Sequence, residues 1–237
     1  MFQTDPFALI VVLVGLSLVP FIAMIATSYL KIVVVMSLIR NALGIQSIPP
    51  NMVVNALAMI LTFYIMAPVA SESWNALVES QKTMVARQGG QGAGKAYNSA
   101  NAQSSTFDLS SLDLGKAAEP FRTFLSSHTA PRERAFFVNT AETLWGKDGE
   151  PAVVDPESFW ILLPSFCVSE LTKAFQIGFL VYLPFIAIDI IVSNILLAMG
   201  MMMVSPVTIS LPFKLLLFVM VNGWTLLVQG LVEGYLL

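Results

Sequence analysis

Charge is almost confined to one stretch of this chain. Of its 12 basic and 15 acidic residues, only Asp5, Lys31, Arg40, Glu170, Lys173, Asp189, Lys214 and Glu233 lie outside 71–157. The flanks on both sides are therefore long apolar runs, and a single small globule has no interior large enough for them. Over all 237 residues, 56% are hydrophobic and 11% charged, where a soluble domain carries about 25% charged residues. The lipid bilayer is the solvent that accepts such a chain, and in it the backbone must satisfy its own hydrogen bonds, which favours helices. The expected fold is all-α: an integral membrane protein of kinked helical hairpins with a small polar periplasmic insert.

Three parts follow from the charge pattern. Residues 1–70 hold amino-terminal hydrophobic helices, 71–157 a polar region, and 158–237 a hydrophobic hairpin. The run 7–30 is long enough to cross a bilayer about 30 Å thick at 1.5 Å per residue, with Gly15 and Pro20 as candidate kinks. Its acidic flank, Asp5, differs from the basic start of a secretory signal, so a retained helix is expected. Lys31–Gly44 either continues that helix or turns back as a short one, ending at a glycine suited to a C-cap. A second span is expected over 52–70, opened by Pro49-Pro50, capped by Asn51 and closed by Pro68. In the polar part, 74–87 favours helix and GGQGAGKAYNSANAQSS reads as a loop poor in large apolar residues. Helical periodicity returns over 107–145, and GKDGEP at 146–151 reads as a turn. Beyond it, a helix entering over 159–173, a longer helix to about Met199, a turn at 200–206 and a return helix from about 207 are expected. Lys31 and Arg40 place their short connection on the cytoplasmic side, and so the polar part on the other.

Composition excludes several functions. The net charge of −3 and the absence of a basic–aromatic stripe argue against nucleic-acid binding. One cysteine, Cys167, and one histidine, His128, cannot build a zinc cluster. No phosphate loop or nucleophile–base–acid spacing is present, so neither an enzyme nor a cofactor is indicated.

Two features remain. A charge near the bilayer centre costs about 2.5–3.5 kcal/mol on insertion scales, so Lys31, Arg40, Glu170, Lys173, Asp189 and Lys214 call for partners, a cavity or a helix end from which to snorkel. Glu170 and Lys173 share a helix face. Glu170 and Lys214 are expected to meet, within one subunit or across a subunit boundary. The second feature is LAMGMMMVSP, where Met201, Met202 and Met203 stand between Gly200 and Pro206. Pliable thioether side chains from several copies could close around nothing or deform around varied chains. In one copy alone, such a cluster reads as ordinary packing.

The blocks TSYLKIVVVMSLIRNALG, PPNMVVNALAMILTFYIMAPV, ELTKAFQIGFLVYLPFIAIDIIV and MGMMMVSPVTISLPFKLLLFV resemble, in order and spacing, the SctR/FliP family. The resemblance implies an inner-membrane subunit of the bacterial type III export apparatus, a homo-oligomer (pentameric in the family) that assembles with SctS/FliQ-like and SctT/FliR-like subunits. Unfolded exported proteins would pass through the resulting channel. Met201–Met203 would form a gasket across the pore, Gly200 and Pro206 its hinge, and Glu170 and Lys214 a tie between neighbouring subunits. Lys31 and Asn222, where flagellar members carry arginine and often aspartate, lean towards the injectisome branch. The rival reading is a transporter of small solutes or protons with Asp189, Glu170, Lys173 and Lys214 as relay, but the chain shows no inverted repeat. A plain membrane anchor is a third reading, and charges as deep as Asp189 and Lys214 argue against it.

Overall fold

The computed structural model describes residues 6–45, 49–89, 114–146 and 152–236. Helices account for all regular structure among these residues: α1 (Pro6–Ile25), α2 (Tyr29–Ala42), α3 (Asn51–Gly89), α4 (Leu114–His128), α5 (Pro131–Trp145), α6 (Phe159–Ala198), α7 (Pro206–Met220) and α8 (Gly223–Glu233). The chain is an all-α membrane protein. The expected loop after Gly89 and the turn after Gly146 lie outside the described residues.

Two compact units divide the chain. One comprises 1–66 and 128–237, the other 67–127. The polar region read as 71–157 is thus split: α5 packs on α6 in the larger unit, with Ala141 buried. In the smaller unit α3 continues beyond Met66 and α4 carries the buried pair Phe124 and Leu125.

The larger unit is organised by α2 lying along α6. Ile32, Val35, Met36, Ile39 and Ala42 recur at helical spacing and bury one stripe of α2. That stripe meets Val54 and Ala58 of α3, Ala174 and Phe185 of α6, Phe218 of α7 and Leu231 of α8 in one hydrophobic core. Close approach of the two helices depends on Gly178. A Cβ there would lie 2.3 Å from Leu38 Cδ1 and 3.2 Å from Leu38 Cβ.

Several boundaries differ from the expected ones, each for a local reason. The helix over 7–30 breaks at Ala26–Ser28, and α1 and α2 are bent by 58°. At the break, Thr27 Oγ1 donates to the Ala23 carbonyl at 2.7 Å and accepts from the Tyr29 amide at 3.4 Å, taking over backbone bonds. Pro68 does not close α3, which continues to Gly89; a proline removes one i→i−4 bond, and here the helix tolerates that loss. Pro164 and Pro184 likewise lie inside one 40-residue helix, α6, where two helices were expected. Asn51 is the first residue of α3 rather than its cap, and its side chain instead accepts from Arg40 Nη1.

The return limb also breaks. Asn222 adopts φ 52° and ψ 46°, the left-handed region, in which Asn is among the few non-glycine residues at home. Bonds from the Val221 and Asn222 amides to the Leu217 and Val219 carbonyls end α7, and α8 departs at 59°. Phe218 lies against Gly223, where a Cβ would stand 2.2 Å from the ring. Phe218 also meets Trp224 edge-on, centroids 5.5 Å apart.

Residues Asn51–Ser80 of α3 and all of α6 are long and apolar enough to cross a membrane, and the count rises to four if each bent pair is one span. At 1.5 Å per residue α6 is about 60 Å long, roughly twice a hydrocarbon core of about 30 Å. Much of its apolar surface is open in the single chain, including Phe175, Phe179, Leu180 and Ile191.

Substituting Gly178→Leu forces α2 away from α6. The expected loss is about 1–3 kcal/mol, the usual cost of overpacking, read as a lower thermal midpoint of the detergent-solubilised protein.

Candidate functional site

Two groups of charged residues lie along α6, and a methionine turn ends it. The first group surrounds Glu170, whose side chain is fully buried. Lys31 of α2 places Nζ 3.1 Å from Oε2. Lys173, one turn further along α6, lies 3.1 Å from Oε1 and donates to the His128 carbonyl at 2.7 Å. The Tyr235 hydroxyl, just past α8, donates to Oε2. Its ring sits beneath the Lys31 ammonium, 3.5 Å from Nζ to centroid, a cation–π contact strengthened by desolvation. The His128 ring completes the group at 5.2 Å from that of Tyr235. Burial first, and then the neighbouring Glu170 carboxylate, hold the Tyr235 phenol protonated far above the ordinary phenol range. Ser169 supports the group from below: its hydroxyl donates to the Ser165 carbonyl at 2.8 Å and accepts from the Ala130 amide at 3.0 Å.

The second group joins the two limbs of the hairpin. Lys214 of α7 is nearly buried, and its Nζ lies 2.6 Å from Asp189 Oδ2 of α6. Ser210, one turn before Lys214, donates to Asp189 Oδ1 at 2.6 Å. Lys214 also donates to the Ala42 carbonyl in the last turn of α2 at 3.2 Å. One ammonium therefore ties three helices together. Asp189 keeps about a third of its side chain exposed.

Past Ala198 the chain turns within a few residues. Met199 ends the helix and Gly200 takes φ +73°, which glycine adopts without steric cost. The Gly200 amide bonds the Leu197 carbonyl at 3.0 Å and the Met201 amide the Leu196 carbonyl at 2.9 Å. These are the two bonds of a Schellman motif. Pro206 starts α7 at its first position, where the missing N–H costs nothing. Between them Met202 and Met203 project outward, Met203 fully exposed.

The sequence model of the FliP family matches residues 12–231. The chain belongs to the FliP family. Among similar proteins, Yop proteins translocation protein R of Yersinia pestis is 49% identical over 233 residues, covering 98% of this chain and 97% of the relative. Hypersensitivity response secretion protein HrcR of Ralstonia nicotianae is 44% identical over 229 residues, covering 96% of each. Virulence protein YscR of Salmonella typhimurium is 43% identical over 234 residues, covering 98% of this chain and 97% of the relative.

In this FliP family member the intrachain version of the expected Glu170–Lys214 pair does not form. Glu170 is held by Lys31, Lys173 and Tyr235, and Lys214 by Asp189. The reason is the register of an antiparallel hairpin. Asp189 and Lys214 stand almost equally far in sequence from Met202, as do Glu170 and Tyr235, so each faces the other across the turn. Burial cost identifies which charges need partners but not which partners they find. Ser210 and Tyr235 are neutral in isolation; counting outward from the turn finds Tyr235 opposite Glu170, whereas Ser210 reaches Asp189 from one turn before Lys214. Arg40 is partly buried at the end of α2 and donates to the Pro49 carbonyl at 3.4 Å and to Asn51, pinning the entry to α3. Gly200 and Pro206 stand at the two ends of the methionine turn.

Replacing Glu170→Ala leaves Lys31 buried without a carboxylate, which costs about 3–5 kcal/mol. Tyr235→Phe removes one donor to Oε2 and costs about 1–3 kcal/mol. Thermal unfolding in detergent should rank the variants in that order. The double variant Lys31→Met, Glu170→Leu should recover part of the loss of Glu170→Ala, because no fully buried charge is then stranded and Lys173, partly exposed, keeps the His128 carbonyl.

Proposed function

We propose that this chain is a non-enzymatic core subunit of the export gate of a type III secretion apparatus in the bacterial inner membrane. It stands beside copies of itself and with subunits like SctS/FliQ and SctT/FliR, and the assembly forms a channel for unfolded proteins. The observation that carries the reading is the Met201–Met203 turn, exposed at the tip of an apolar helical hairpin. A turn of large flexible apolar side chains facing outward is unfavourable in water, and copies gathered about one axis would remove it from contact with solvent.

Two further observations support it. Relatives similar over nearly the whole chain are called translocation and secretion proteins. The apolar surface of α6, α7 and α8 exceeds what one chain buries, which suits packing against neighbouring subunits. The polar region would face the periplasm. A charge relay for solute or proton transport has less support: Lys173 of the first group and Asp189 of the second are about 24 Å apart along α6 at 1.5 Å per residue, with only apolar and neutral side chains between them on that helix.

Native mass spectrometry of the purified complex should find several copies of this chain per assembly. A stable, folded single subunit as the functional form would end the reading. Deleting Met201–Met203 should raise ion leak through the resting complex; unchanged leak together with normal secretion would remove the gasket from the proposal.

A further inference from the structure

Four cations lie outside 71–157: Lys31, Arg40, Lys173 and Lys214. Three of them rest on carboxylates, Lys31 and Lys173 on Glu170 and Lys214 on Asp189. Arg40 meets no carboxylate among the described residues. Its Nη1 is taken up by the Pro49 carbonyl and the Asn51 side chain. Its Nε is buried and finds no acceptor. A guanidinium presents Nε–H and the Nη2–H beside it as a fork that matches carboxylate and phosphate oxygens. That edge of Arg40 is unused, and a buried cationic donor left without an acceptor is costly.

Arg40 lines a recess of about 390 Å³ between the end of α2, the entry to α3 and the elbow of α7 and α8. Leu43, Leu215, Val219 and Trp224 give it apolar walls, Asn222 adds a neutral polar group, and none of the described residues that line it is acidic. Helix α2 ends at Ala42, two residues beyond Arg40. A span made of the bent pair α1 and α2 therefore brings the guanidinium to the level of the headgroups. Trp224 is partly exposed, and indole rings favour that same level.

The cation calls for a phosphate and the walls for an acyl chain. An ammonium headgroup finds no carboxylate here, which favours a lipid of net negative charge, the kind that basic pockets between membrane helices hold. A second copy of this chain is a poorer occupant. Of the carboxylates described on α6 to α8, Glu170 and Asp189 are already held by lysines. Glu233 stands two residues before Tyr235, at the Glu170 level, whereas the Arg40 end of α2 lies towards Lys214 and Asp189. In a ring of copies at one height it does not reach Arg40.

We infer that this recess binds one anionic phospholipid, its phosphate on the Arg40 guanidinium and an acyl chain along Leu43, Leu215 and Val219. The inference does not rest on the gate reading.

The test holds the purified complex in micelles doped with phosphatidylglycerol or with phosphatidylcholine of the same acyl chains. Native mass spectrometry reads bound lipid and copy number together. The parent should retain phosphatidylglycerol in preference to phosphatidylcholine. Arg40→Gln should weaken that retention about tenfold, the scale of one lost charge-assisted contact. Asn222→Asp keeps Arg40 and a residue that tolerates the left-handed backbone, but sets a carboxylate inside the recess, and should weaken retention as well. Inorganic phosphate in excess should not displace the lipid, because it makes no contact with the walls. Equal retention of the two lipids by the parent, or parental retention in Arg40→Gln or Asn222→Asp, overturns the inference. Displacement by inorganic phosphate makes this a site for a free anion and overturns it too. A parent without lipid whose copy number falls in Arg40→Gln assigns the recess to a carboxylate of a neighbouring protein, with the same result. If Arg40→Gln does not assemble, Asn222→Asp decides, since it leaves the bonds from Arg40 to Pro49 and Asn51 in place. Phosphatidylglycerol held selectively by single copies would end the gate reading and leave this inference standing.

Discussion

The arrangement of the larger unit depends on a single carboxylate. Glu170 carries a full charge with no access to solvent, and an isolated ion in that position would cost several kcal/mol even after relaxation. Two segments remote in sequence answer it, Lys31 from α2 and Tyr235 from beyond α8, together with Lys173 one turn along α6 itself. The contacts between helices here are mostly apolar and could slide along one another. A hydrogen-bonded charge cannot slide, so it fixes the register that hydrophobic packing leaves free. The Asp189–Lys214 pair does the same further along the hairpin, and between these two levels α6 and the return limb have one permitted alignment.

Much of this was legible before any coordinates. Four apolar runs, the helical character of 159–199 and the turn at 200–206 follow from hydropathy and from the positions of glycine and proline. Gly200 at a left-handed C-terminus and Pro206 at a first helical position follow from elementary backbone rules. What the sequence withheld is instructive. Prolines 68, 164 and 184 look like stops but lie within helices, because a long helix survives the loss of single bonds. The bends at Thr27 and Asn222 come from residues that look unremarkable, one substituting its hydroxyl for backbone groups and the other tolerating positive φ. Within one chain the charges pair differently from one of the two expected arrangements, because the cost of burial concerns each charge alone, whereas partners are set by register.

A chain with this much uncovered apolar side chain is incomplete by itself. Lipid can cover part of it, but α6 is roughly twice as long as a hydrocarbon core is thick. The portion beyond the lipid needs protein neighbours, which agrees with the assembly proposed for this FliP family member. The methionine turn is the extreme case: capping hydrogen bonds define its backbone, while the Met202 and Met203 side chains are left uncovered.

The union of Lys31, Glu170 and Tyr235 also has a consequence for biosynthesis. About 200 residues separate the first from the last, and at ribosomal speeds of about 5–20 residues per second that interval is on the order of 10–40 s. For the first 139 residues of it the nascent polypeptide holds Lys31 without its acid, and for the last 65, about 3–13 s at those speeds, it holds acid and base without their tyrosine. The insertion machinery therefore handles first an unpaired base and then a pair without its tyrosine, neither of which the finished protein contains.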